Sequence, residues 1–183
     1  MYTLIWIKKK VGVVISIEVL IFRLQEGTKQ ERIEALRALA TQKDQRALEA
    51  IIACIQQDED GTVREEAVKS LNSFDDIQAT QALISAVQDS RWLPARFSAI
   101  KALEQRNTPS VVAALIMLLQ DKAYGIPQKA ATALGNLGNP TAIQPLISAL
   151  ALFKGYFQEP IVKSIARFGL PALPLLIDAL HNK

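Results

Sequence analysis

Apolar residues recur along this chain with a period of about 32 positions. Pairs four residues apart mark each period, at Ala35/Leu39, Ala67/Leu71, Ala99/Leu103, Ala130/Leu134 and Ile161/Ile165. About twelve residues after each comes a second pair, at Ile51–Ile52, Leu83–Ile84, Leu115–Ile116, Leu146–Ile147 and Leu176–Ile177. A spacing of four indicates one apolar face of a helix. Self-similarity at this period predicts stacked units that bury those faces against their neighbours.

Helix start signals divide each period into two helices. Thr28 and Thr62 are each followed three residues later by a glutamate, which is the spacing of a capping box. Good N-cap residues precede the second helices, at Asp44, Asp76, Thr108 and Asn139. We expect first helices at about 28–40, 62–73, 92–105, 126–137 and 158–168, and second helices at about 44–57, 76–89, 109–120, 140–153 and 171–181. The predicted fold is an all-α, right-handed α-α superhelix of about five two-helix repeats.

The segment before the first repeat, 1–26, does not follow the period. We expect a cap helix over about 16–26, so that 1–27 form an N-terminal extension and cap helix and 28–183 form the repeat domain. The basic triplet Lys8–Lys10 before an apolar stretch also resembles a signal peptide, but Glu18 interrupts that stretch. No run approaches the roughly 18 apolar residues of a membrane helix.

Two segments resemble the HEAT-repeat family: Thr62–Leu71 (TVREEAVKSL) and Lys129–Leu150 (KAATALGNLGNPTAIQPLISAL). More narrowly, they are similar to the short HEAT-like repeats named for phycobilisome lyases, and the similarity covers about residues 28–181. The resemblance implies an α-solenoid. For function it implies a range that includes scaffolds, chaperone-like maturation factors and a few enzymes.

The family's signature of Asp followed by Val-Arg is present at Asp60 and Val63–Arg64, whereas Pro127 and Gln158 replace the arginine in the fourth and fifth repeats. The same arginine recurs once in each of the first three repeats, at Arg32, Arg64 and Arg96. Such a ladder could grip an acidic partner. In the alternative, each planar guanidinium bonds the turn of an adjacent repeat, as in the repeats that this chain resembles.

Aromatic residues recur with the same period, at Trp92, Tyr124 and Tyr156, in the turns that enter repeats three to five. A row of rings along one edge would suit a protein partner or a planar ligand. The alternative is that each ring closes its own turn onto the core. Trp92, beside Leu93 and Pro94, is the ring we expect to be packed.

The second helices are expected to line the concave face of the solenoid. Their exposed positions are small, polar and nearly uncharged, and the candidate partner-binding residues there are Glu49, Gln78, Gln81, Met117 and Gln144. A groove of adaptable amides suits an extended segment or a helix of another protein. Ordinary solvated surface is the alternative.

The charge distribution and the cysteine content bear on the possible partners and on the cellular location of the protein. Residues 27–91 carry eight basic and twelve acidic side chains, a net charge of −4, whereas 92–183 carry nine and four, a net charge of +5. This asymmetry can orient an encounter with a charged partner. The alternative is that charged residues are distributed unevenly over a solvated surface without a binding role. Cys54 is the only cysteine, which excludes a disulfide framework and predicts a cytoplasmic location.

Catalysis finds little support in the residues. His181 is the only histidine, so neither a Ser–His or Cys–His pair in the core nor a multi-histidine metal site is expected. Cys54 lies among apolar neighbours, and we expect it to be a buried, unreactive thiol. We expect no catalytic residue, no metal and no cofactor.

The predicted function is therefore non-catalytic protein binding, by a scaffold, adaptor or assembly factor that holds its partner on the concave face or the aromatic edge. The resemblance implies an alternative: a phycobilin lyase-like or phycobilisome maturation or turnover subunit that handles a bilin or a bilin-bearing protein. Nucleic acid is not expected as a partner, because lysine and arginine are too sparse to track phosphates.

Overall fold

The computed structural model describes residues 15–89, 91–152 and 158–181. Within these ranges, one helix, α1 (Ile17–Glu26), precedes the repeats. The first helices of the five repeats are α2 (Lys29–Gln42), α4 (Gly61–Leu71), α6 (Leu93–Leu103), α8 (Ile126–Leu137) and α10 (Gln158–Ala166). The second helices are α3 (Leu48–Gln57), α5 (Ile77–Gln88), α7 (Pro109–Met117), α9 (Ile143–Leu152) and α11 (Leu173–His181). Short 3₁₀ turns, at 45–47, 140–142 and 170–172, precede α3, α9 and α11, and another at 118–120 follows α7.

The helices form two layers. Neighbouring first helices contact one another from α2 to α10, and each second helix from α3 to α9 packs against the first helix of the following repeat. Helix α1 occupies the position of a second helix, because it packs against α2 and also touches α3. The predicted fold class, an all-α superhelix of two-helix repeats, is confirmed.

The recurring apolar pairs form the core between the layers. All ten residues of the first series are buried, as are Ile51, Leu83, Leu115 and Leu146 of the second. Burying the same positions in every unit joins the repeats into one continuous hydrophobic cluster that runs from Ile17 to Ala172. Each unit thus depends on its neighbours for its core, as expected of a stacked repeat.

The helix caps follow the sequence signals with one exception. Thr28 and Glu31 form the predicted capping box, and Asp76 and Thr108 cap α5 and α7. Asp44 and Asn139 cap the 3₁₀ turns that lead into α3 and α9.

The predicted capping box of Thr62 and Glu65 is wrong. Helix α4 begins one residue earlier, and Asp60 is its N-cap, accepting from the backbone N–H groups of Thr62 and Val63. Glu65 instead pairs with Lys69 one turn along the helix. A carboxylate at residue 60 also attracts the Lys29 ammonium, at 2.9 Å, which a threonine cap could not do.

Candidate functional site

The repeating arginines are internal connectors. Arg96 is buried, and its Nε donates to the Val87 carbonyl at 2.6 Å while its Nη2 lies 2.5 Å from Asp121 Oδ2. Burial is the largest single effect on the pKa of Asp121 and would raise it. The hydrogen bond from Arg96, the hydrogen bond from the Ala123 backbone N–H and the positive charge of Arg96 together outweigh burial and hold that pKa below its ordinary value. The guanidinium therefore connects the end of α5, through Val87, to the turn that follows α7, through Asp121.

Arg32 makes the same two contacts as Arg96, and Arg64 makes the first of them, to the turn before its own helix. Arg64 is buried and donates to the backbone carbonyls of Asp58 and Glu59, and Arg32 donates to the Gly27 carbonyl and pairs with Asp58 at 2.8 Å. The geometry favours the turn-bonding interpretation of the series over a ladder that grips an acidic partner.

The two described members of the aromatic row have different surroundings. Trp92 is half-buried and its ring lies against Gly61, where a Cβ atom would overlap the ring. Tyr124 is 79% exposed, beside Gly125, which adopts a positive φ of 81° before α8. Tyr156 lies outside the described residues. The Trp92 ring thus has a packing partner inside the chain, whereas most of Tyr124 faces solvent.

The five candidate residues on the second helices all have exposed side chains: Glu49, Gln78, Gln81, Met117 and Gln144. We call the exposed side of α1, α3, α5, α7 and α9 the second-helix face. Met117 is 68% exposed on this face, at the end of α7. An unbranched apolar side chain held in solvent can adapt its shape to a partner.

A glutamine column on the second-helix face was missed in the sequence. Gln25, Gln56, Gln88 and Gln120 are exposed in the last turns of four consecutive helical segments. Their side-chain amides make no hydrogen bond to any described residue. The signal was available, because these residues recur at spacings of 31, 32 and 32.

Two clefts open between neighbouring second helices at equivalent positions. The first cleft, of about 370 Å³ between α1 and α3, is lined by Leu24, Gln25, Ala50, Ala53, Cys54 and Gln57, with Arg32, Asp58 and Glu59 at one end. The second cleft, of about 140 Å³ between α3 and α5, is lined by Ile55, Gln56, Ala82, Ser85, Ala86 and Asp89, with Ile52 and Arg91. The first six residues of each set correspond one to one along the repeat. Small side chains at three of the six positions keep both clefts open.

Cys54 lies in the wall of the first cleft but is not a reactive thiol. Burial raises the pKa of Cys54 to about 12, and the neighbouring Asp58 carboxylate adds to the effect. A thiol with so high a pKa is protonated at neutral pH and a poor nucleophile. Within the described ranges, no cluster of three or more His, Cys, Asp or Glu side chains could hold a metal ion.

A third, apolar cleft of about 460 Å³ lies at the C-terminal end, lined by residues that include Leu150, Val162, Leu173 and Leu176. Of the helices that the structure describes, none is both long and apolar enough to cross a membrane alone. Gln158–Ala166 and Leu170–Asp178 reach the required length only as a pair, and they are bent by 116°.

The fold and its repeating contacts define a class, the helical solenoids. The sequence profile of HEAT repeats matches residues 17–104 and 94–152, and the chain therefore belongs to the HEAT-repeat family. The match begins at Ile17, the first residue of α1, in keeping with the place of α1 in the second-helix layer. No curated protein sequence matches the chain significantly.

Solved structures share the fold. The complex of CpcE and CpcF of phycocyanin lyase from Nostoc sp. PCC7120 contains a chain that is 22% identical, with a TM-score of 0.65 over 92% of this chain and 70% of that one. An engineered protein is 19% identical, with a TM-score of 0.57 over 89% of this chain and 80% of its own. These likenesses confirm the predicted resemblance at the level of fold.

Proposed function

We propose that this protein is a non-catalytic adaptor, scaffold or assembly factor that binds another protein. The observation that carries the proposal is the second-helix face, where Met117, Glu49, Gln78, Gln81 and Gln144 are all exposed and their side chains make no hydrogen bond or ion pair with a described residue. Uncharged amides around an adaptable apolar residue suit a protein surface better than a small anionic or metallic ligand.

The edge that carries Tyr124 extends the proposed contact. Large exposed rings with a polar tip are frequent hot spots in protein interfaces. Trp92 and Tyr156 belong to the same proposed row, with Trp92 contributing only the part of its ring that Gly61 leaves exposed. The lone cysteine is the argument for a cytoplasmic site of action.

The test is affinity capture from a lysate of the source organism, with mass spectrometry to identify the partner and a titration with that partner once purified. We expect Met117→Ser with Tyr124→Ala to weaken the titrated complex by about 1–4 kcal/mol without lowering the melting temperature. Val162→Ser is the matched control, since Val162 is 48% exposed on α10, a first helix outside the proposed site, and its replacement should leave binding unchanged. Equal affinity of both variants for the partner would contradict the proposed site.

A second candidate function rests on the likeness to the chain of the phycocyanin lyase complex. In that case the protein handles a bilin or a bilin-bearing protein, and the aromatic edge contacts the tetrapyrrole. An absorption spectrum of the captured material distinguishes the two functions, because a bilin absorbs visible light and an ordinary partner protein does not. Titration of the purified protein with a free bilin provides the direct check.

A further inference from the structure

The first and second clefts form a repeated site, one unit apart on the second-helix face. Each has an apolar residue and a glutamine from one helix (Leu24 and Gln25, then Ile55 and Gln56) and small residues from the next. In the third repeat, Met117 and Leu118 stand where the clefts have Ala53 and Cys54, or Ser85 and Ala86. The open stretch of the face therefore spans α1, α3 and α5.

We propose that the two clefts together bind an extended, basic segment of a partner protein in a polyproline II conformation. The inference rests on the proposed function and specifies which kind of segment the second-helix face takes. Its occupant would place one apolar side chain in each cleft, three residues apart.

The spacing of the clefts argues for this conformation. Packed neighbouring helices lie about 8–10 Å apart. A polyproline II chain presents a side chain to the same side every three residues, or about 9 Å. An extended β-strand repeats every two residues, at about 6.6 Å, and its next repeat at about 13 Å overshoots the spacing.

The glutamines argue against a helical occupant. Gln25 and Gln56 each bring a carboxamide, both donor and acceptor, to the rim of a cleft. Backbone groups inside a helix are already hydrogen-bonded to one another, whereas those of a polyproline II chain are free to bond these amides. The repetition of the amide at the same position of both clefts matches a ligand that repeats its backbone at that interval.

Charge selects a basic segment. Glu59 lies at the end of the first cleft and Glu49 precedes its Ala50 wall, and both carboxylates are exposed without an ion-pair partner among the described residues. Arg32 and Arg91 lie nearby but are paired with Asp58 and Asp89. A lysine at the third position of the triplet would pair with Glu59, which lines the first cleft, and Glu49, adjacent in sequence to the lining residue Ala50, adds negative charge on the same helix.

The test uses a fluorescent twelve-residue peptide of four Leu-Pro-Lys triplets, titrated with the full chain and followed by anisotropy. We expect saturable binding with a dissociation constant below about 1 mM. Two comparison peptides share its length: one with the same residues but the leucines moved off the triplet spacing, and one helical peptide with leucines seven residues apart. Both should bind at least about tenfold more weakly.

Filling the clefts provides the matched variants. Ala53→Met with Ser85→Met imitates the third repeat and should weaken binding of the triplet peptide by at least about tenfold, because the added side chains occupy both clefts. Ser148→Met, at the equivalent exposed position of the fourth repeat, should have no effect. In the same way Gln25→Ala with Gln56→Ala should weaken binding, and Gln88→Ala with Gln120→Ala should not. Melting temperatures verify that each variant is folded.

Three results would overturn the proposal: no saturable binding below about 1 mM, equal affinity for a comparison peptide, or full affinity in the folded methionine variant. The outcome is separable from that of the proposed function. A captured partner that the methionine variant still binds leaves the adaptor function standing and removes the clefts from it. Peptide binding as expected, with no partner captured, supports the clefts and counts against the adaptor function.

Discussion

Trp92 and Tyr124 lie one repeat apart, each in the turn before a first helix, yet their rings have different surroundings. Trp92 packs on the backbone of Gly61, and Tyr124 is largely exposed. The close approach at Trp92 is possible because residue 61 has no Cβ. The neighbour across the repeat interface, more than the residue's own position, decides whether a ring is structural.

Gly61→Ala tests that contact. Alanine is normally the better helix former by up to about 1 kcal/mol, so the substitution would be expected to stabilise α4 if the ring were absent. With Trp92 in place, we expect a loss of about 1–3 kcal/mol in the free energy of unfolding, because the ring must move. Urea denaturation measures the change. In a Trp92→Ala background the same substitution should be neutral or stabilising, and an equal loss in both backgrounds would show that the ring is not the cause.

Arg96→Lys tests the buried connector. Lysine keeps the charge but cannot bond the Val87 carbonyl and the Asp121 carboxylate with one planar group. We expect a destabilisation of about 1–3 kcal/mol, measured by chemical denaturation. Arg91→Lys is the control, since Arg91 also pairs with an aspartate but is exposed, and it should change little. A similar loss in both variants would contradict an internal role specific to Arg96.

At the scale of the element, the start of α4 shows a competition between two possible caps. Asp60, the charged residue of the two, is the N-cap. Its carboxylate accepts hydrogen bonds from the Thr62 hydroxyl, from Lys29 and from two backbone N–H groups. These hydrogen bonds hold the pKa of Asp60 well below its ordinary value of 3.8. Thr62 then serves as a donor to the cap.

Asp60→Ala should lower the melting temperature more than Thr62→Ala, which is the opposite of what a Thr62 cap requires. The folded state holds the pKa of Asp60 below the unfolded value, so its contribution is complete above pH 3.8 and is lost as the pH falls further. Asp60→Asn keeps a capping side chain without a titrating group. The difference in stability between wild type and Asp60→Asn should therefore shrink in acid, and a difference independent of pH would contradict the charge contribution.

At the scale of the whole molecule, the two ends of the stack differ from its interior. Leu36, Val68, Ile100 and Ala131 occupy one repeating position and are all buried, but Val162 at the same position of the fifth repeat is 48% exposed. The apolar cleft beside it belongs to the same open end face.

Val68→Lys and Val162→Lys form a matched pair for this difference. A lysine at residue 68 would be buried without a partner, and we expect it to cost at least about 4 kcal/mol or to prevent folding. A lysine at residue 162 can reach water, and stability should stay within about 0.5 kcal/mol of wild type. Thermal unfolding distinguishes them, and a comparable loss at both positions would mean that the fifth repeat is covered.

At the other end, we propose that α1 is the cap of the stack. Ile17, Leu20 and Leu24 are buried on α1. Deleting residues 1–26 should expose the apolar surface that they cover and cause aggregation, seen by light scattering, whereas deleting residues 1–10 should be tolerated. A stable monomer from the larger deletion would show that α1 is not a cap.

The amino-acid sequence alone determined the repeating architecture. Helix type follows from local spacing, and the same spacing in five units leaves stacking as the one way to bury every apolar face, so Leu39 and Leu134 were predictable as core. The caps Asp44 and Asn139 were equally predictable, because a cap bonds backbone groups two or three residues away. The glutamine column was also predictable, because its four residues recur in the sequence with the period of the repeat.

Only the tertiary structure decided which side chain each repeating position meets. Asp60, which caps α4 in place of Thr62, also pairs with Lys29 of the preceding repeat, and Trp92 is packed because Gly61 lies under its ring. The clefts exist because alanine and serine of one second helix face the glutamine-bearing turn of another. These contacts join residues about one repeat apart in the chain, and a local pattern does not encode how closely two such residues approach.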